Sequence, residues 1–167
     1  MPVAAAPAAS TRVPARPRLS LEGAIDLGLC GVLLAGLSLL ARLPDIYQGT
    51  PAQQRQALLD SGNQAIFFDG GVYILNGLGS VVASQPDDSR LLNRDWSDRS
   101  FFRSMVRSQT MIITDVEPIG PNGEDMIAIA LPVLGTREEL RGVVVGMFHL
   151  DAKSISPFYG TLIKLRI

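Results

Sequence analysis

The chain has 167 residues, of which 47% are hydrophobic and 19% are charged, and its formal net charge is −1. This length suits one domain with a tail or an anchor, and the charge gives no indication of nucleic-acid binding, which normally needs a basic patch. A single histidine, His149, excludes a multi-histidine metal site, and no cofactor is predicted.

The first segment, residues 1–22, is rich in Ala, Pro and Ser. Its first twenty residues carry Arg12, Arg16 and Arg18 and no acid. Such a composition buries too little apolar surface to offset the entropy of the chain, so the segment is predicted to be disordered.

An uncharged run follows at residues 27–41, with the sequence LGLCGVLLAGLSLLA. Extended to residues 23–43, it approaches the length of about 20 residues that a transmembrane helix needs. A membrane anchor, a cleaved signal peptide and a buried core helix all fit an apolar run. We favour a single-pass anchor in the cell membrane, because no small-x-small cleavage site follows and no polar face interrupts the run. The preceding arginines predict a cytoplasmic N-terminus and an extracytoplasmic remainder.

A capped helix and a hairpin are predicted next. Thr50, Pro51 and Gln53 have the spacing of a capping box with proline at the first helical position, and the helix is expected over residues 51–61. Residues 71–75 and 80–84 are typical of paired strands, joined by the tight turn NGLG at residues 76–79.

A second helix is predicted to begin at Ser97 as the N-cap. Its buried face would hold the apolar residues that recur at helical spacing, namely Phe101, Phe102, Met105 and Val106. Trp96 would then contact Phe101 as a hydrophobic staple.

Three strands are predicted over residues 111–116, 125–133 and 141–150, followed by a short helix at residues 152–159. The last two strands are apolar at odd and even positions alike. We therefore expect both faces of their sheet to be covered. These elements predict an α+β fold.

The order of elements and three local motifs resemble the Cache superfamily of extracytoplasmic sensors. The motifs are NRDWSDRSFF, in which Arg99 and Phe102 occupy matching places, TDVEPIGPNGEDMIAIALPV and RGVVVGMFHLDAKSIS. The resemblance implies a PAS-like antiparallel sheet with flanking helices over residues 44–160. This unit would be the distal module of a double-Cache receptor, and residues 161–167 would begin a following, truncated element.

The resemblance also implies a function. Such modules are input domains of signalling receptors, above all sensor histidine kinases, and of diguanylate cyclases and chemoreceptors. The chain would bind a small ligand and act as a homodimer through its parent receptor. No catalytic motif is present, and the chain is predicted not to be an enzyme. The alternatives are a structural or dimerisation module without a ligand, and a secreted solute-binding protein.

The family's amino-acid sensors hold the ligand carboxylate with an arginine and a tryptophan two residues apart, a pair that Arg94 and Trp96 match. An arginine fork suits a carboxylate because it donates two parallel hydrogen bonds. Ser97 replaces an aromatic residue of that pattern, and Phe148 stands where the acid that binds the amine is expected. The resemblance therefore favours an organic acid as the ligand.

Further ligand-binding candidates are Arg99, Phe102, Tyr73, Asp115 and His149. Simpler explanations stand beside them. Trp96 is also explained by packing, the arginines by solvation and His149 by its place at a strand end. The adjacent acids Asp87 and Asp88 are interpreted as solvated surface residues.

Overall fold

The computed structural model describes residues 21–62 and 68–149. Its helices and strands, in chain order, are α1 Leu21–Ala41, α2 Pro44–Tyr47, α3 Pro51–Asp60, β1 Gly71–Asn76, β2 Val81–Gln85, α4 Ser100–Ser108, β3 Ile112–Ile113, β4 Met126–Leu134 and β5 Leu140–His149. The predicted tail at residues 1–20, the helix at residues 152–159 and the element at residues 161–167 lie outside the described residues.

The strands form one sheet in the order β2-β1-β5-β4-β3, and every neighbouring pair is antiparallel. The pairing of β1 with β5 brings Tyr73 opposite Val145, while β4 pairs with β5 over nearly its whole length. The predicted α+β fold with an antiparallel sheet and flanking helices is confirmed.

Each face of the sheet is covered by a separate apolar cluster, because side chains alternate along a strand. The helix-side core joins β4 residues Ile127 and Ile129 to α1, α2 and α3 through Leu37, Ile46 and Leu58. The loop-side core joins the alternate residues of the same strands to α4 and its flanking loops, and it includes Tyr73, Val145, Trp96, Phe101 and Met105. The expected cover on both faces is therefore confirmed.

The C-terminal half of α1 belongs to the helix-side core. Leu33, Leu37, Leu40 and Ala41 are buried against the sheet. The C-terminal half of α1 therefore packs on the sheet as part of this core, while the single-pass anchor over residues 23–43 stays a prediction. In the part of the chain that the structure describes, no helix has the length and hydropathy required to cross a bilayer.

The predicted capping box and hairpin are confirmed. Gln53 N–H donates to Thr50 Oγ1 at 3.4 Å, and Thr50 N–H donates to Gln53 Oε1 at 2.8 Å. In the β1–β2 turn, Asn76 Oδ1 accepts from the backbone N–H groups of Leu78 and Ser80, both at 3.0 Å.

The predicted start of α4 at Ser97 is wrong. Arg99 is the N-cap residue, and the Ser97 N–H is satisfied by Asp95 Oδ1 at 2.8 Å in a local turn. Staple spacing therefore does not apply to Trp96, although it shares the loop-side core with Phe101. Val106 is 50% exposed, so it does not belong to the buried face of α4, contrary to the prediction.

The predicted strand at residues 111–116 is reduced to β3. After β3, the Ala128 N–H donates to the side-chain Oγ1 of Thr114 at 2.9 Å, where a regular strand pair would use a backbone carbonyl. Pairing returns at a single bridge between Glu117 and Met126. This irregular backbone begins the β3–β4 loop, defined here as residues 114–125.

Substitution of Gly146 by alanine should destabilise the fold, since a Cβ there would overlap the Phe68 ring. That ring stacks on Phe148 with centroids 4.6 Å apart. Overpacking of this kind costs about 1–3 kcal/mol in the free energy of unfolding, which denaturant titration measures. Gly31→Ala is the matched control, because its Cβ meets nothing within 4 Å. Equal stability of the two variants would contradict the packing described here.

Candidate functional site

A cavity of ≈ 310 Å³ opens on the loop side of the sheet. Its floor includes Tyr73 of β1. One wall comes from residues 86–94, which follow β2, and the other from the β3–β4 loop. The lining residues are Tyr73, Pro86, Asp88, Arg90, Leu91, Arg94, Pro121 and Asn122. Three chain segments that are distant in sequence thus meet around one concave site.

Arg94 bridges the two walls of the cavity. Its backbone is fixed beside β2, where Val81 N–H donates to the Arg94 carbonyl at 3.0 Å. Its side chain is exposed and donates from Nη1 to the Pro121 carbonyl at 2.9 Å. Among the described residues, the other N–H groups of this guanidinium have no hydrogen-bond partner, so they are available to an anion in the cavity.

Asp88 and Arg90 form an ion pair at the cavity wall. Arg90 Nη2 lies 2.8 Å from Asp88 Oδ2, and the Arg90 backbone N–H donates to Asp88 Oδ1 at 2.9 Å. The hydrogen bonds from the Arg90 side chain, followed by the one from its backbone, lower the pKa of Asp88. The acid of the cavity is thereby already matched to a cation. Asp88 is partly exposed at this wall.

Trp96 packs directly behind the cavity floor. It is 1% exposed, and its ring lies 4.9 Å from the ring of Tyr73 at an angle of 60°. The Arg99 guanidinium carbon stacks 3.9 Å from the Trp96 ring centroid. The indole N–H is buried and has no hydrogen-bond partner within residues 21–62 and 68–149.

Arg99 is half-buried and reaches the β3–β4 loop, where Nη1 donates to the Gly120 carbonyl at 3.1 Å. Burial lowers the pKa of Arg99, and the nearby cation of Arg94 lowers it further, whereas the charge of Asp98 raises it. The guanidinium groups of Arg94 and Arg99 therefore both lie beside the cavity.

Tyr73 is held by its hydroxyl, which donates to the Gly70 carbonyl at 2.7 Å. Burial raises the pKa of Tyr73 to about 12, and the negative charge of Glu124 contributes in the same direction. The phenol is therefore neutral at physiological pH, and in the cavity it acts as a polar surface without charge.

The structure separates the predicted site residues into three groups. Tyr73 and Arg94 line the cavity, and Trp96 and Arg99 support it from behind. Phe102 is buried in the loop-side core. The remaining two, Asp115 and His149, are not among the lining residues, and His149 Nδ1 lies 3.6 Å from Asp69 Oδ2 at the end of β5.

Sequence reasoning missed the other loop residues of the cavity, which are Pro86, Asp88, Arg90, Leu91, Pro121 and Asn122. The only signals were a polar stretch at residues 85–93 and the PNG turn at residues 121–123. Both predict loops, but neither shows that the two loops meet across Tyr73.

A second cavity of ≈ 520 Å³ lies on the opposite face of the sheet, between the end of α1, α2 and the β4–β5 turn. Its walls include Leu131, Pro132 and Tyr47, and Arg42 is its charged residue. Within the described residues, no group of three or more His, Cys, Asp or Glu side chains has an arrangement that could hold a metal ion.

No family model and no curated protein matches the chain. Solved structures do share its fold. An extracellular ligand-binding receptor from Desulfohalobium retbaense matches with a TM-score of 0.65 at 14% identity, over 87% of this chain and 26% of that chain.

Two bacterial chemoreceptor domains have the same fold. The ligand-binding domain of Pseudomonas fluorescens CtaA, in complex with L-isoleucine, matches with a TM-score of 0.61 at 19% identity, over 81% of this chain and 55% of that chain. The ligand-binding domain of Pseudomonas aeruginosa PctC, in complex with GABA, matches with a TM-score of 0.58 at 22% identity, over 82% of this chain and 62% of that chain. The chain thus spans less than two thirds of each. What the chain shares with these ligand-binding domains is their fold.

Alkaline titration should reveal the environment of Tyr73. Above pH 10 an unfolded tyrosine releases its proton, while Tyr73 in the folded chain keeps it up to about pH 12. The unfolded state then binds fewer protons, so the free energy of unfolding should fall as pH rises through this window. Tyr73→Phe should show a shallower fall, measured by denaturant titration at several pH values. Identical slopes for the two proteins would contradict the assignment.

Proposed function

We propose that this chain is the extracytoplasmic input module of a signalling receptor and that it binds a small carboxylate in the loop-side cavity. The observation that carries the proposal is the placement of Arg94, whose guanidinium bridges the two cavity walls. The fold shared with chemoreceptor ligand-binding domains supports a sensory role.

The charges around the cavity favour an anion. Its lining contains Arg90 and Arg94 as cations and Asp88 as an acid. Since Asp88 is paired with Arg90, the charge left for a ligand is that of Arg94. Charge-assisted hydrogen bonds from an arginine fork are strong and geometrically specific for carboxylates.

The same pairing favours an organic acid over an amino acid. An ammonium group needs an acceptor, and Asp88 already accepts from the side chain and the backbone of Arg90. The cavity volume lies at the lower end of the range of about 300–1,000 Å³ for ligand pockets, which suits an acid of a few carbons.

Signalling would follow from preferential binding to one arrangement of the cavity walls. A ligand shifts a conformational equilibrium only by its difference in affinity for the two states. Here the ligand would contact the loop after β2 and the β3–β4 loop together, and so favour the state in which they are close. The parent receptor, a histidine kinase or a diguanylate cyclase, would supply the output.

A panel of small acids tests the ligand class. Butyrate, lactate and succinate should raise the melting temperature of the 167-residue chain, and L-isoleucine and GABA should raise it less. Arg94→Gln should weaken binding by about 10- to 100-fold, because hydrogen bonds to a charged group contribute about 1.5–3 kcal/mol. Calorimetric titration provides the affinities.

The matched control is Arg103→Gln, which removes an exposed arginine from α4. It should bind the acids as the unchanged protein does. Failure of every acid to bind a folded chain, or equal binding by the Arg94 variant, would contradict the carboxylate proposal.

A role in dimerisation is favoured by a separate observation on α1. Val32 and Leu39 are 57% and 62% exposed and lie seven residues apart, on one face of α1. Leu43, just after the helix, is 39% exposed. A self-complementary apolar stripe of this spacing suits pairing of two helices. We propose that α1 pairs with its counterpart in a homodimeric receptor.

Sedimentation of the chain tests this pairing. Leu39→Glu should shift the population toward the monomer, since two carboxylates would be buried in the symmetric contact. Leu59→Glu is the control, because Leu59 is an exposed leucine of α3, outside the stripe. A wild-type chain that stays monomeric at all concentrations, or equal effects of both substitutions, would contradict pairing through α1.

A further inference from the structure

The tip of the β3–β4 loop is a compact turn with its own hydrogen bonds. Gly120 N–H donates to the Glu124 carbonyl and Gly123 N–H to the Gly120 carbonyl, both at 3.0 Å. The Asn122 side chain donates to Glu124 Oε1 at 2.7 Å. Ile119, which directly precedes this turn, is buried in the loop-side core.

Two arginines tie this turn to the segment before α4. Arg94 donates to the carbonyl of Pro121, and Arg99 donates to the neighbouring carbonyl of Gly120. Their surroundings differ. Arg94 is exposed and lines the cavity, whereas Arg99 is half-buried, stacked on Trp96, and adjoins the first residue of α4.

Ligand binding places different demands on the two tethers. A carboxylate bound by the remaining N–H groups of Arg94 would share that guanidinium with the Pro121 carbonyl. Arg99 holds the turn independently of the ligand, because its planar group stacks on the indole ring and donates to the Gly120 carbonyl. Stacking and a directed hydrogen bond are together possible for arginine and not for lysine.

We infer that Arg99 is a positioning residue, which holds the Pro121–Asn122 wall in place while Arg94 binds the ligand. Arg99 itself does not touch the ligand. This inference rests on the proposed function, because it assigns a role within the same cavity. It also predicts a property of the ligand-free chain.

The ligand-free arm uses Trp96, the single tryptophan of the chain. Arg99→Gln should increase quenching of Trp96 fluorescence by acrylamide and speed hydrogen exchange at the amides of Gly120 and Gly123 about tenfold, as expected for loss of one charge-assisted hydrogen bond. Arg99→Lys should behave like the glutamine variant. Arg103→Gln, one turn further along α4, should change neither signal.

The ligand arm measures the dissociation rate of butyrate from the same variants. Arg99→Gln should release butyrate about tenfold faster with a similar association rate, because the wall opens more often. Unchanged Trp96 quenching and loop exchange in Arg99→Gln would overturn the inference. Full rescue by lysine would also overturn it, since charge alone would then suffice.

The two arms separate this inference from the proposed function. If no acid binds the unchanged chain, the proposed function fails, while the quenching and exchange data still decide whether Arg99 holds the loop. If butyrate binds and its dissociation rate is the same in Arg99→Gln, the positioning role is overturned and the carboxylate site stands.

Discussion

The structure depends on the two-sided burial of the central strands β1, β5 and β4. Their apolar residues occupy both faces, so neither face is stable in water, and burial of each large side chain contributes about 1.5–3 kcal/mol. Three helices cover one face, while α4 and irregular loops cover the other. Irregular loops leave some of their backbone carbonyls without a hydrogen bond from the loop itself. The loops that cover the second face therefore bring carbonyls and polar side chains close to the sheet.

This asymmetry explains why the candidate site lies on the loop side. The Pro121 and Gly120 carbonyls belong to one turn and accept hydrogen bonds from Arg94 and Arg99, which come from a separate segment. The arginines fix the distance between two loops, and the cavity is the space that remains between them. The Arg94 guanidinium links the two walls, and in the proposed function the same group also binds the anion. A ligand in the cavity would therefore act directly on the contact between the walls.

Sequence reasoning succeeded where the information is local. The Thr50 capping box, the hairpin turn at Asn76 and the apolar strands depend on neighbouring residues, and each is confirmed. At α1 the apolar pattern alone does not distinguish cover by lipid from cover by protein, because the sequence pattern is the same for both. Sequence reasoning failed at Ser97, where Asp95 forms a local turn with the Ser97 N–H and the helix begins at Ser100. It also missed most of the cavity lining, because that lining depends on a distant loop.

The most direct measurement is the side-chain NMR spectrum of the arginines during titration with a short carboxylate. The proposed function predicts that the guanidinium resonance of Arg94 shifts in a saturable manner and that the Trp96 indole N–H responds with the same midpoint. The contrary result would be saturable binding that leaves Arg94 unchanged and perturbs Arg42, in the cavity on the other face of the sheet. That outcome would remove the loop-side cavity as the ligand site.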